Sequence, residues 1–298
     1  MKKTILLHAV ILLSSVFLFQ ACKKKEDVKK AVISVKGSDT MVNLAQKWAE
    51  VFMNQNANVS VQVTGGGSGT GVAALLNGTT DIAASSRELK AKEKEQASAK
   101  NIQYEEFKVA LDGIAVIVHP ENPLNELTMD QVRDIFSGKI KDYSQVKTAG
   151  GKITLYGREN SSGTYEFFRE HVLGKDQNGN EIDYATNTQV LQGTAALAEA
   201  VARDKKAIAY GGVGYFAMRT DVKILGIKKD ADSPAIYPAK EGKVNFEDIW
   251  SGAYSISRYL YMFTSAKPVG AIEQYMNFVL SPEGQKIVET MEYIPLPR

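Results

Sequence analysis

The sequence predicts an α/β protein of two domains, each a mainly parallel sheet flanked by helices, joined by two crossing strands. Three observations carry this. Strand-like and helix-like apolar patterns alternate along the chain; two long apolar strands stand where the chain leaves and re-enters its first set of elements; and 298 residues, 44% hydrophobic and 23% charged, suffice for one large or two ordinary domains. The same composition excludes disorder, and a single Cys excludes a disulfide framework.

Val32, Ile33 and Val35 read as a buried strand, and Met41, Leu44, Ala45, Trp48 and Phe52 follow at helical spacing. Val59, Val61 and Val63 alternate as a second strand, the glycine-rich Gly65 to Gly71 comes next, Val72 to Leu76 opens a helix, and Asp81 to Ala84 gives a third strand. Alternation of this kind implies a parallel sheet with ligand sites in the loops at the carboxyl ends of its strands. Val109 to Val118 is the first crossing strand. Thr128 and Gln131 then form a capping box for a helix ending at Gly138. The second domain repeats the pattern: strand Ile153 to Tyr156, helix Gly163 to Leu173, helix Ala195 to Ala202, and strand Ala207 to Tyr210 before a Gly211-Gly212-Val213-Gly214 turn. Tyr259 to Phe263 is the second crossing strand. Two final helices, Ala271 to Leu280 and one started by Pro282, have no further sheet to cover and are expected to return to the first domain.

Lys and Arg number 36 against 34 acids, and the excess of +2 is accounted for by Lys2 and Lys3, which leaves the rest of the chain formally neutral. A nucleic-acid binder is excluded by this balance, and any affinity for anions must be local. Lys2 and Lys3 precede an apolar run from Ile5 to Phe19, then Gln20-Ala21-Cys22. This is a secretory signal pattern, too short for a bilayer span of roughly 20 residues. Cys22 at its end resembles the lipobox cysteine of bacterial lipoproteins, although Phe19 and Gln20 depart from the usual Leu and small residue. Expected are a signal over 1–21, a solvated tether over 22–30, a first domain of 31–114 with 258–298, and a second of 115–257.

Three loops share one character: Gly37-Ser38-Asp39-Thr40, Gly65 to Gly71 (GGGSGTG) and Arg158 to Thr164 (RENSSGT) are small, hydroxyl-bearing and glycine-rich, each running from a strand into a helix. Unpaired N–H groups at a helix start, with Ser and Thr hydroxyls beside them, cradle an anion. Arg158 adds a fork that can hold an oxyanion bidentately. A single such loop reads more readily as ordinary N-capping; three with an arginine shift the reading to an oxyanion site. Nucleotide motifs fail. Val72 and Ala73 stand where a Walker A loop needs Lys and Ser or Thr, and no GxGxxG occurs.

Together GSDT, TGGGSGTG, DIAASSREL, LTMDQVRDIFSGKI and RENSSGTY, in this order and spacing, resemble the phosphate-binding proteins of bacterial ABC importers, from about Ile33 to the C-terminus. The resemblance implies a type II periplasmic-binding-protein fold whose interdomain cleft closes on one dehydrated phosphate. By motif match the ligand set falls on Ser38, Asp39, Thr40, Ser68, Arg158, Ser162, Gly163 and Thr164. It further implies an extracytoplasmic receptor that hands phosphate to a membrane permease without cofactor or catalysis; the lipobox pattern tethers it through Cys22, and one ligand cleft per chain is compatible with a monomer.

One departure bears on selectivity. The family places an Asp after the third strand to accept the proton of monohydrogen phosphate, and here Ser86 and Arg87 stand there. An acceptor is what separates phosphate from fully ionised sulfate. Arg87 is therefore expected to contact the anion alongside Arg158 and Ser86, and Asp39 to accept the ligand proton; the alternatives are an Arg87 paired with Glu88 or Glu93 and an Asp39 that only caps a helix. Asn160 lies where relatives carry an acid that orients the arginine, which leaves that task to Glu159, to a distant carboxylate or to nothing. His119 and His171 stand alone, without metal-ligand spacing. Two other functions stay open: a receptor for sulfate, molybdate or another tetrahedral oxyanion, and a Ser-based hydrolase using Ser68 or Ser162, which lacks GxSxG and an acidic metal cluster.

Overall fold

The computed structural model describes residues 30–297 apart from Lys147 and Ala149. The expected signal segment, Cys22 and the tether up to residue 29 lie outside the described residues. From Ala31 the chain runs β1 (Ala31–Gly37), α1 (Val42–Gln55), β2 (Val59–Thr64), α2 (Ser68–Leu76) and β3 (Ile82–Ser85), with β1 parallel to both β2 and β3. The burial of β1 alternates through Ile33, Val35 and Gly37, as a strand covered unequally on its two faces requires. After α3 (Ala91–Ala99) comes β4 (Glu105–Val118), whose last ten residues are all buried. Its last ten residues are apolar apart from Asp112 and Gly113 because this part passes from one lobe to the other with both faces covered.

The second lobe holds α4 (Met129–Phe136), β5 (Thr154–Arg158), α5 (Gly163–Phe168), β6 (Gln189–Leu191), α6 (Gly193–Arg203) and β7 (Ala207–Gly212), with β5 parallel to β6 and β7. The Thr128–Gln131 box starts α4 as predicted: each side chain bonds the other's backbone N–H. Where the sequence suggests one helix over 163–173, α5 widens after Phe168 into a π turn, Arg169–Leu173, closed by Gly174 at φ 65°, whose N–H reaches Arg169 O. The chain then returns along β8 (Ser257–Thr264) to α7 (Gly270–Leu280) and α8 (Pro282–Thr290).

These strands form one continuous sheet in the order β2-β1-β3-β8-β4-β7-β5-β6, with a short strand, Lys223–Ile224, also on β4. Each lobe is thus a parallel set, and the two crossing strands are antiparallel to each other and to the lobe strands they join. Trp48, Phe52, Tyr275, Met276 and Val288 bury against β1 and β2 in the first lobe; Phe136, Phe168, Leu197 and Tyr210 centre the core of the second. The buried Trp48 indole donates to Gly284 O at 2.8 Å, which ties α8 onto α1. Helix α3 has no apolar stripe, only Ala97 being buried, and so left no periodic signal.

Candidate functional site

The carboxyl ends of β1, β2, β3 and β5 meet where the lobes touch; β1, β2 and β5 each deliver one of the three small-residue loops, and β3 delivers Ser86 and Arg87. The first follows β1: Ser38 N–H is fixed by Ala84 O, Ser38 Oγ is buried without a protein partner, and Asp39 to Met41 make a single 3₁₀ turn. The second follows β2. Gly66 (φ 110°) and Gly67 (φ 91°) adopt left-handed conformations that favour glycine, and they turn the chain so that α2 begins at Ser68 with its N-terminus toward the seam. The third follows β5, where Ser162 caps α5 by accepting from Thr164 N and Tyr165 N. Two helix N-termini and a row of hydroxyls thus converge on one place.

Contacts between the loops join the two lobes. Thr40 Oγ1 and Thr164 Oγ1 are 2.9 Å apart, Gly69 N donates to Ser161 O at 3.0 Å, and Arg158 Nη2 donates to Asp39 Oδ2 at 2.9 Å. The other Asp39 oxygen accepts from Gly66 N at 2.8 Å, so its carboxylate links all three loops. Tyr215 OH, on the turn after β7, donates to Asp39 O at 2.8 Å; burial, with the Asp39 carboxylate second, pushes its pKa up to about 12 and keeps it a donor. Ser68 Oγ accepts from Ser86 N at 3.0 Å and lies 3.2 Å from Ser86 Oγ. An ideal Cβ on Gly163 would fall 2.4 Å from Ser68 Oγ and 2.5 Å from Ser86 Oγ, so the loops approach this closely only because residue 163 is glycine.

Arg158 is 1% exposed, and its guanidinium is almost fully committed. Nε and Nη2 grip the two oxygens of Glu159 at 3.0 and 2.8 Å, Nη1 donates to Thr194 Oγ1 at 3.0 Å, and Nη2 also reaches Asp39. Glu159 is therefore the orienting acid where Asn160 offers none. Of the five N–H groups of an arginine, one on Nη1 is left to meet a ligand. Arg87, the second arginine expected at the anion, is bidentate on Glu93 at 2.7 Å for both bonds and also donates to Glu88 O. Glu93 in turn bonds Lys90 N as part of the cap of α3.

Two residues absent from the sequence reading complete the seam. Asp112 and Arg258 are paired across the β4–β8 ladder and are both buried, with Arg258 Nη2 donating to Asp112 Oδ2 at 3.0 Å. Burial pushes the Asp112 carboxyl up and the Arg258 guanidinium down, each opposed by the other's charge. A lone acid inside the apolar run VALDGIAVIV is the signal that could have found the pair. Among the described residues no group of three or more His, Cys, Asp or Glu is placed to hold a metal, and no helix is long and apolar enough to cross a membrane.

At the rim Lys90 joins Glu166 at 2.7 Å across the lobes, and Arg169 holds the same carboxylate at 3.0 Å. Burial alone would raise the pKa of Glu166, but these two cations outweigh it and hold the group below the usual carboxylate range. A folded pKa below the unfolded one gives stability that is fully present above about pH 4.3 and lost as pH falls through the folded value. Thermal melts of Glu166→Gln should accordingly change less between pH 5 and pH 3 than those of the unmodified protein.

A model of the PBP superfamily domain matches residues 24–283. The phosphate-binding protein PstS of Pseudomonas aeruginosa is 32% identical over 283 residues, covering 89% of this chain and 83% of its own. The chain belongs to the PstS-type phosphate-binding proteins of this superfamily. Among solved structures the family fold recurs in a Clostridium perfringens substrate-binding protein assigned to phosphate ABC transport, crystallised with bound phosphate, at TM-score 0.77 and 26% identity over 89% of this chain and all of the other. An ABC-type phosphate transport receptor from Vibrio cholerae aligns at TM-score 0.68 and 26% identity over the same shares. The two-domain architecture joined by crossing strands is that of the family.

Proposed function

We propose that the protein is an extracytoplasmic receptor that binds inorganic phosphate in the seam between its lobes and delivers it to the permease of an ABC importer. The observation that carries this reading is the buried Arg158 at the meeting point of three small-residue loops, two of which start helices. Relatives named for phosphate binding and a structural neighbour holding phosphate support the choice of anion. Ser38, Asp39, Thr40, Ser68, Ser86, Ser162, Gly163 and Thr164 replace the hydration shell of the anion with hydroxyl and backbone N–H donors, and Arg158 adds a charge-assisted bond. Arg87 is held on Glu93, and the near-neutral pair lines the site rather than binding the anion. The lobes 31–114 with 258–298 and 115–257 open about the crossing strands to take up and release the ligand. Cys22, lipidated after removal of 1–21, anchors a monomer to the membrane through the 22–30 tether. Binding and release suffice for this role, without a nucleophile or a metal.

Titration calorimetry of the phosphate-stripped protein at pH 6 and pH 8 tests the reading: tight one-to-one binding of phosphate with silent sulfate is expected. Equal binding of both anions, or of neither, would overturn it. Asp39 is the carboxylate proposed to take the ligand proton, and it keeps lone pairs beyond the two used by Gly66 and Arg158. Asp39→Asn should weaken phosphate about tenfold or more, one charge-assisted hydrogen bond being involved, and should narrow the phosphate-to-sulfate ratio. An Asn variant with the unmodified ratio at both pH values would remove Asp39 from that role.

A further inference from the structure

Arg258 is the side chain on a crossing strand that bonds the anion loops of both lobes. Its Nη2 donates to Thr164 Oγ1 at 2.8 Å and lies 3.4 Å from Thr40 Oγ1, and its Nη1 donates to Gly163 O at 3.2 Å. Asp112 fixes it from the neighbouring strand, and the ring of Phe167 lies 5.3 Å from its guanidinium carbon. A guanidinium has donors only, and the two hydrogens of Nη2 go to Asp112 Oδ2 and Thr164 Oγ1, so Thr164 Oγ1 accepts from it while Thr40 Oγ1 lies at the edge of its reach. The two hydroxyls are also bonded to each other at 2.9 Å, which uses one of their two hydrogens. The second O–H has no acceptor among the described residues, and it sits in a loop pair that otherwise presents donors to the seam.

We propose that Arg258, held by Asp112, is a positioning residue for oxyanion binding that orients and polarises the Thr40–Thr164 hydroxyl pair, so that the remaining O–H points at the anion with a positive charge behind it. The arginine itself makes no contact with the ligand. This rests on the oxyanion reading and adds to it a second source of positive charge, relayed through neutral hydroxyls. A buried ion pair of this sort is poorly explained as a stability device, because an apolar pair of similar volume often folds as well or better.

The test separates folding from binding. In the variant Arg258→Met with Asp112→Leu both charges are removed together, so no uncompensated carboxylate is left buried. Its melting temperature without phosphate is expected within a few degrees of the unmodified protein, while its phosphate Kd rises about tenfold or more, the size of one charge-assisted hydrogen bond. Thr164→Val should lose a similar factor, and the combination should lose no more than the larger of the two, since both act through one hydroxyl. Losses that multiply, or a charge-free pair with unmodified phosphate affinity, would overturn the proposal. Arg258→Lys keeps the ion pair, and hence the fold, if the apolar pair does not fold. One ammonium lacks the geometry to serve Asp112, Gly163 O and Thr164 Oγ1 at once, so about tenfold weaker phosphate binding is again expected, and unmodified affinity would again sink the proposal. If the unmodified protein itself takes up no phosphate, the receptor reading fails first and the relay with it.

Discussion

Replacing Arg158 with alanine should abolish measurable phosphate binding, weakening it by at least about a hundredfold. The bond lost is charge-assisted, worth roughly 1.5–3 kcal/mol on its own. What is left behind matters as much. Asp39 and Glu159 now share Arg158 between them, at 2.9 Å and 2.8–3.0 Å. Without it two carboxylates face an incoming dianion with no cation in contact, and like charges at that range repel strongly in a dry cleft. The same substitution leaves Glu159 unpaired while largely buried, and breaking a buried pair typically destabilises by about 3–5 kcal/mol. A lower melting temperature is therefore expected as well, and Arg158→Lys is needed to separate the two effects. Lysine keeps the charge and should hold Glu159 well enough to fold, but a single ammonium cannot grip both Glu159 oxygens, Thr194 and Asp39 while offering a further N–H to the ligand. Calorimetry and thermal melts in phosphate-free buffer should show a nearly native fold with phosphate bound more than tenfold more weakly. A lysine variant that binds as tightly as the arginine protein would mean the fork is structural only.

The parts of the molecule that were legible in the sequence are those that local chemistry dictates. Alternating valines gave β2, helical spacing of Leu44, Trp48 and Phe52 gave α1, and the reciprocal Thr128–Gln131 box gave the start of α4. The small-residue loops and Arg158 were legible because free N–H groups at helix starts and a forked cation are visible in composition alone, while Glu159 was only one of the alternatives for orienting that arginine until the structure placed it there. Features set by distance along the chain were not. Asp112 and Arg258 are 146 residues apart and meet only because β4 and β8 are neighbours in register. Arg87 could be read as facing the ligand or Glu93, since both lie within reach of its loop, and only the cap of α3 decides where Glu93 stands. That helix gave no signal because it buries a single alanine, and the π turn after Phe168 gave none because periodicity does not register a one-residue widening. The bridging of three loops by the Asp39 carboxylate likewise required both lobes in place.

Gly163→Ala should keep the fold and lose the ligand. Residue 163 opens α5 and is not in a left-handed conformation, so alanine suits its backbone and is intrinsically favoured in a helix over glycine by up to about 1 kcal/mol. Within its own lobe nothing crowds the new methyl at the shortest range. The three nearest atoms all belong to the other lobe, Ser68 Oγ at 2.4 Å, Ser86 Oγ at 2.5 Å and Ser68 Cβ at 3.0 Å. Those serines are fully buried and bonded to each other and to Ser86 N, so they cannot swing aside without breaking the turn after β3. The collision thus exists only while the lobes touch, and it opposes closure without opposing folding. The variant should melt at or slightly above the unmodified temperature in phosphate-free buffer, bind phosphate about a hundredfold more weakly or not at all, and show no decrease in radius of gyration by small-angle scattering when phosphate is added. Gly71→Ala supplies the opposite case: its Cβ would meet Lys36 O at 2.3 Å and the Cα of Gly37 at 2.6 Å, backbone atoms of the same lobe. That substitution should lower the melting temperature whether or not phosphate is present. If Gly163→Ala instead destabilises the protein as Gly71→Ala does and still contracts on adding phosphate, the close contact at residue 163 belongs to folding, and closure of the lobes does not depend on it.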